Sequence, residues 1–142
     1  MSVARRGLAA ERDVAAAAER RALALAVARA LLSLQISRGK AVGGDLFADP
    51  AWDMLLDLFV ATGEGRSVCV SSLCLAANIP VSTAHRWVQA LARTGAILRR
   101  EDPLDRRRVF VELSAEVAEA IEAELLLHRE RMASLIGIRS GA

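Results

Sequence analysis

The spacing of apolar residues switches between helical and alternating periods along this chain, and each switch marks an element. Residues 8 to 37 are alanine-rich with apolar residues at helical spacing and no Pro or Gly before Gly39, which predicts one long helix. Thirty residues at about 1.5 Å rise make a rod of roughly 45 Å, longer than a domain of this size is wide. Part of that rod is expected to lie against another chain. The linker "RGKAVGGDLFADP" follows, where Gly39, Gly43 and Gly44 free the backbone and Asp49 with Pro50 offers a cap and a first-turn residue. The next helix is "AWDMLLDLFVAT". Its Trp52, Leu55, Leu56, Phe59 and Val60 form a core stripe, Asp53 and Asp57 a solvated face, and Gly63 its end.

Shorter elements come next. "SVCV" reads as a short strand, and "SSLCLAANI" as about two turns of helix with Ser71 or Ser72 as the N-cap. Asn78, Ile79 and Pro80 break the chain, and "VSTAHRWVQALARTG" resumes as a helix closed by Gly95. Two helices joined by a tight turn make a helix-turn-helix. "AILRRE" and "RRVFVEL" then alternate around "DPLD", giving a two-stranded hairpin with Val109, Val111 and Leu113 on one side and Arg108, Phe110 and Glu112 on the other. A last helix runs from about Ser114 to Ser134 on Val117, Ala120, Ile121, Leu125 and Leu127.

Length and composition narrow this picture. The 142 residues suffice for one compact core, and 54% apolar residues with only 4% aromatics favour a mainly helical fold. The net charge of +2 argues for no partner by itself, but its distribution does. Residues 41 to 80 hold five acids against Arg66 alone, whereas residues 81 to 114 hold seven arginines against four acids. Lys40 is the only lysine, and arginine is the better fork for phosphate and guanine.

Other functions find little support. The N-terminus scatters Glu11, Arg12, Asp13, Glu19, Arg20 and Arg21 through its alanines, unlike a secretion signal, so a cytoplasmic protein is expected. The longest uncharged run, Ser67 to Ala84, contains four serines, Thr83, Asn78 and Pro80, which argues against a membrane helix. Cys69 and Cys74 lack partners at metal spacing and read as small core hydrophobes, with a redox switch as the alternative. His85 and His128 are the only histidines, neither beside a nucleophile or metal constellation, and there is no glycine-rich phosphate loop. The chain is therefore not expected to be an enzyme or to hold a cofactor or metal. His128 reads as a surface or interface residue.

The positive charge has a place in the helix-turn-helix. On the second helix Ala84, Trp87 or Val88, and Leu91 share one face, while Ser82, Thr83, His85, Arg86 and Gln89 project elsewhere. Hydroxyl, imidazole, guanidinium and amide groups can hydrogen-bond base edges and phosphates, where an ordinary solvent face more often carries Glu and Lys. Arg106, Arg107 and Arg108 sit at the tip and return strand of the hairpin that follows. Such a wing can straddle phosphates and put an arginine into the narrow minor groove. The competing reading pairs these arginines with Asp102 and Asp105 at an exposed turn. Arg5, Arg6 and Arg12 fit a solvated helix end better than added phosphate contacts.

The stretch "VSSLCLAANIPVSTAHRWVQALARTGAILRREDPLDRRRVFVELS" resembles the winged helix-turn-helix of MarR-type transcription regulators, whose wing reads D-x-x-D-x-R followed by alternating apolar residues and Leu-Thr or Leu-Ser. Here those positions are Asp102, Asp105, Arg107, Val109, Val111, Leu113 and Ser114, and the resemblance covers residues 50 to about 125. It implies a fold that is mainly α with a small β-hairpin wing, plus long N-terminal and C-terminal helices for dimerisation. It also implies a homodimeric repressor that sets recognition helix 81–94 in the major groove of double-stranded DNA and wing 96–113 on the minor groove. The expected DNA-binding residues are Ser71, Ser72, Ser82, Thr83, His85, Arg86, Gln89, Arg106, Arg107 and Arg108, with Arg107 held by Asp105.

Two departures stand out. Val117 replaces the glycine of the family's Leu-Thr-x-x-Gly, and only "LIGIRSGA" follows the last helix, where a final dimerisation helix is usual. The long N-terminal helix is expected to take its place. The expected organisation is a dimerisation helix and linker over 1–44, the DNA-binding unit over 45–114 and a packing helix over 115–142. A small-molecule effector would bind between the dimerisation and DNA-binding parts. The rival function is a protein-binding winged helix without DNA, using the acids Asp45, Asp49, Asp53 and Asp57 to attract a basic partner.

Overall fold

The computed structural model describes residues 3–43 and 49–137. Among the described residues five helices and three short strands follow one another: α1 (Val3–Val42), α2 (Pro50–Gly63), β1 (Val68–Cys69), α3 (Val70–Ala76), α4 (Val81–Arg93), β2 (Ile97–Glu101), β3 (Val109–Leu113) and α5 (Ala115–Leu135). The expected order of elements is observed. α1 is longer than expected, 40 residues rather than thirty, or about 60 Å at 1.5 Å per residue. From Val3 to Leu23 every residue of it is exposed. Only beyond that does it join the core, through Ala24 and Ala28, which are wholly buried. α1 packs on α2 and α5. By length and hydropathy alone it could also cross a membrane.

"SVCV" supplies a third strand. β1 pairs antiparallel with β3, matching Val68 to Val111 and Cys69 to Phe110, so the sheet order is β1-β3-β2. The uncharged run Ser67–Ala84 is divided among β1, α3 and the start of α4, so it forms no single helix.

The core gathers Met54, Leu56 and Leu58 of α2, Leu73 and Cys74 of α3, Ala84 and Val88 of α4, Ile97, Val111 and Leu125, each no more than 4% exposed. Trp52 and Leu55 were expected in this stripe, yet both are only half-buried, while Met54 and Leu58 are fully buried. The reason is that α2 is covered on several sides, by α1, α4, α5 and β3, so no single stripe describes it. Asp53 and Asp57 are likewise not a solvated face. Asp53 accepts a hydrogen bond from the Gln35 amide of α1, and Asp57 is half-buried. Burial first, and the neighbouring carboxylate of Asp53 second, push the Asp57 carboxyl up to about 6. Asp45 lies outside the described residues.

The ends of the helices also differ in detail. Asp49 caps α2 by accepting a long 3.5 Å bond from the Trp52 N–H, with Pro50 in the first turn. α2 runs through Gly63, and the left-handed residue that stops it is Gly65, with φ +70°. Arg66 N–H then reaches Ala61 C=O at 2.8 Å and Gly65 N–H reaches Thr62 C=O at 3.1 Å, satisfying two orphan carbonyls. Gly95 closes α4 in the same manner, at φ +80°. Neither Ser71 nor Ser72 is the N-cap of α3. Cys69 holds that position without a side-chain bond, and the Ser72 hydroxyl instead donates to Cys69 C=O at 2.9 Å. Ser114 caps α5 by accepting from Val117 N–H at 3.2 Å. Of the α5 residues expected to pack, Ile121 and Leu125 are buried, Val117 is half-buried, and Ala120 and Leu127 are exposed.

Candidate nucleic-acid interface

The chain between α3 and α4 turns at Asn78, whose φ of +51° places it in the left-handed region, where asparagine is tolerated better than most residues. Pro80 then leads into α4. Ala84, Val88 and Leu91 point into the core, so Val88 rather than Trp87 shares their face, and Trp87 is 39% exposed. The opposite side carries Ser82, Thr83, His85, Arg86 and Gln89, all exposed. Sequence and structure therefore place the same polar set outward. Ser71 and Ser72 lie exposed in the first turn of α3.

The wing is ordered by its two aspartates. Asp102 Oδ1 accepts the Leu104 N–H at 2.9 Å, and Asp105 Oδ1 accepts the Arg107 N–H at 3.0 Å. Two backbone bonds close the loop, from Asp102 N–H to Arg108 C=O and from Arg108 N–H to Asp105 C=O, both at 3.0 Å. Asp105 thus holds Arg107 by its backbone, not by its guanidinium. This answers the paired-charge reading as well. The carboxylates are occupied in shaping the turn, and among the described residues no ion pair ties down Arg106, Arg107 or Arg108. All three are exposed.

Arg108 differs from the other two. Its guanidinium lies 6.0 Å from the centre of the Phe110 ring, and that of Arg100 lies 5.2 Å away, within cation–π range. Arg100 was not foreseen from the sequence, because its nearness to Phe110 depends on the register that pairs those two residues across β2 and β3. Cys69, paired with Phe110 from the other side, is half-exposed rather than core. The hydroxyls of Ser71 and Ser72, at 3.3 and 3.2 Å from its sulfur, draw the thiol down to about 7. Cys74 is buried, as expected, and burial pushes its thiol up. Among the described residues no three metal-binding side chains come together.

A bundle of helices carrying a helix-turn-helix and an arginine-tipped three-stranded wing can be compared with known proteins. No family profile matches the sequence, and no curated protein matches it. Solved structures do. A point mutant of MepR from a multidrug-resistant S. aureus clinical isolate aligns at a TM-score of 0.55 and 20% identity over 65% of this chain and 65% of that one. A second S. aureus MepR mutant, bound to an oligodeoxyribonucleotide, aligns at 0.55 and 21% over the same shares. A third gives 0.56 and 16% over 79% of this chain and 76% of that one. The chain has the winged-helix fold of these MepR structures. In the first two alignments the chain spans less than two thirds of the MepR length. In this fold α3 and α4 form the helix-turn-helix and β2 and β3 the wing, as the resemblance of residues 50 to about 125 implied.

Proposed function

We propose that the chain is a sequence-specific, double-stranded DNA-binding transcriptional regulator, a cytoplasmic repressor that acts as a homodimer. Helix α4 reads the major groove through Ser82, Thr83, His85, Arg86 and Gln89, with Ser71 and Ser72 on the adjoining backbone. The wing lays Arg106, Arg107 and Arg108 along the minor groove. The observation that carries this reading is the division of labour in the wing: Asp102 and Asp105 bond to backbone N–H groups, which leaves the arginines available to phosphate. The oligodeoxyribonucleotide bound to one MepR structure of this fold supports the same partner.

Homodimerisation is supported by apolar surface that the rest of the chain leaves uncovered. Leu8 and Val14 stand exposed on the N-terminal half of α1, and Met132 and Leu135 near the end of α5. These helices form the dimerisation and packing elements over 1–44 and 115–142, flanking the DNA-binding unit over 45–114. A cavity of about 420 Å³ between α1, α2 and α5, lined by Arg21, Leu25, Phe59, Leu113, Ala118 and Glu122, is the place for a small-molecule effector. The rival protein-docking reading loses half of its acidic face, since Asp53 is bonded to Gln35 and Asp57 is half-buried.

Selection of preferred duplexes from a random pool, repeated with Arg86→Ala, tests the reading. A recovered consensus that relaxes at one position in the variant, at a cost of about 1–3 kcal/mol for the preferred site, is expected. An unchanged consensus would show that α4 does not read bases through this face.

A further inference from the structure

Ser82, Arg86, Gln89 and Arg93 are spaced by four, three and four residues, so they form one stripe down the exposed side of α4. The stripe ends against the sheet. In β2, Ile97 points into the core, so Arg99, two residues on, lies on the same face of the strand as Ile97 and toward α4. Gln89, Ala92, Arg93 and Arg99 together line one shallow depression of about 380 Å³. Gln89, Arg93 and Arg99 are exposed, and among the described residues neither arginine has an ion-pair partner. Glu101 follows on that face of β2 but makes no ion pair with Arg99.

The position of this depression gives it a meaning. It sits between α4 and the hairpin, and on a duplex the major and minor grooves are separated by one sugar-phosphate strand. If α4 occupies one groove and the wing the next, the surface between them faces that strand. From this placement we infer that Arg93 and Arg99 form a phosphate clamp on the backbone between the two grooves. The inference rests on the proposed DNA-binding function and adds Arg93 and Arg99 to its contacts. Two guanidiniums lining one open depression present several N–H donors to an oxyanion, without the shape to select a base. The clamp fixes register and affinity, and specificity stays with the outward set of α4 that reads the major groove.

The test compares the full-length protein with the Arg93→Ala/Arg99→Ala double variant, on its preferred duplex and on a scrambled duplex, at several salt concentrations. Thermal unfolding of both proteins confirms equal folding. The clamp predicts that the slope of log K against log salt falls by about 3.6 in magnitude, two phosphate contacts at about 0.9 each in both chains of a bound dimer, while the preferred-to-scrambled ratio is unchanged. If the wild-type protein binds its duplex and the double variant keeps the same salt slope, the clamp is overturned and the DNA-binding function stands. A changed ratio with the same slope would make these residues base readers and also overturn it. A wild-type protein that binds neither duplex refutes both the function and the clamp.

Discussion

The outward face of α4 and the outward face of α1 are both uncovered, yet they are built from opposite materials. The first presents Ser82, Thr83, His85, Arg86 and Gln89 over a core-packed underside of Ala84, Val88 and Leu91. The second presents Leu8, Val14, Leu34 and Ile36 among alanines and charged residues such as Arg12 and Glu19, over an underside that touches the core only through Ala24, Ala28 and their neighbours. An exposed polar face on a rigid helix costs nothing in water and is complete when it meets a polyanion. An exposed apolar face is incomplete until another apolar surface covers it. The two faces therefore call for two different partners, and the proposed function assigns DNA to one and a second copy of the chain to the other.

The largest expected effect separates the core from the rod. Leu58→Ala, at a site 1% exposed, should cost about 2–5 kcal/mol in denaturant unfolding. Val14→Ala, at a site 71% exposed, should change unfolding of the isolated chain by less than about 0.5 kcal/mol. Equal costs would erase the distinction between the two regions. Val14→Glu sharpens it further: sedimentation should show a shift from dimer to monomer with helix content retained, and an unchanged dimer would place the interface elsewhere.

Within the polar face, the tip of the wing should behave differently from α4. Arg107→Ala is expected to weaken binding to all duplexes and to lower the salt slope by about 1.8, about 0.9 from each chain of the bound dimer, without the altered consensus predicted for Arg86→Ala. A smaller effect lies inside α2. The Asp57 carboxyl is raised from 3.8 to about 6, so the folded state holds its proton more tightly than the unfolded chain does. Stability from this group is greatest below pH 4 and falls as pH rises toward 6. Asp57→Asn should therefore stabilise by about 1 kcal/mol at pH 7, a figure reduced for the group's partial exposure, with the gain vanishing near pH 3.5. A gain independent of pH would assign the effect to something other than ionisation. Last, a thiol reagent at pH 7.5 should modify Cys69 well before Cys74, because only Cys69 combines exposure with a thiol lowered to about 7. Equal rates would mean that Cys74 is not buried.

Local chemistry made much of this legible in advance. Asp49-Pro50, Asn78 and Gly95 mark their boundaries because a cap, a left-handed residue and a helix stop are each written in one or two residues. The polar set on α4 was readable because helical spacing alone decides which side faces out. What depends on packing was not. Asp53 and Asp57 read as solvated until α1 lay beside them, and Ser71 or Ser72 read as a cap although the helix begins at Val70. Arg100 over Phe110 needed the strand register, and the loop hydrogen bonds of Asp102 and Asp105 could not be told from ion pairs by spacing, since both place acid beside base.

The most direct test of the whole account is binding of the purified chain to the intergenic DNA upstream of its own gene and to a scrambled duplex, at two salt concentrations, with stoichiometry recorded. Preference for the upstream duplex, affinity that falls steeply with salt and two chains per site are the expected results. Absence of preference, or no binding at low salt, would contradict it and leave the arginine wing and the exposed face of α4 without their partner.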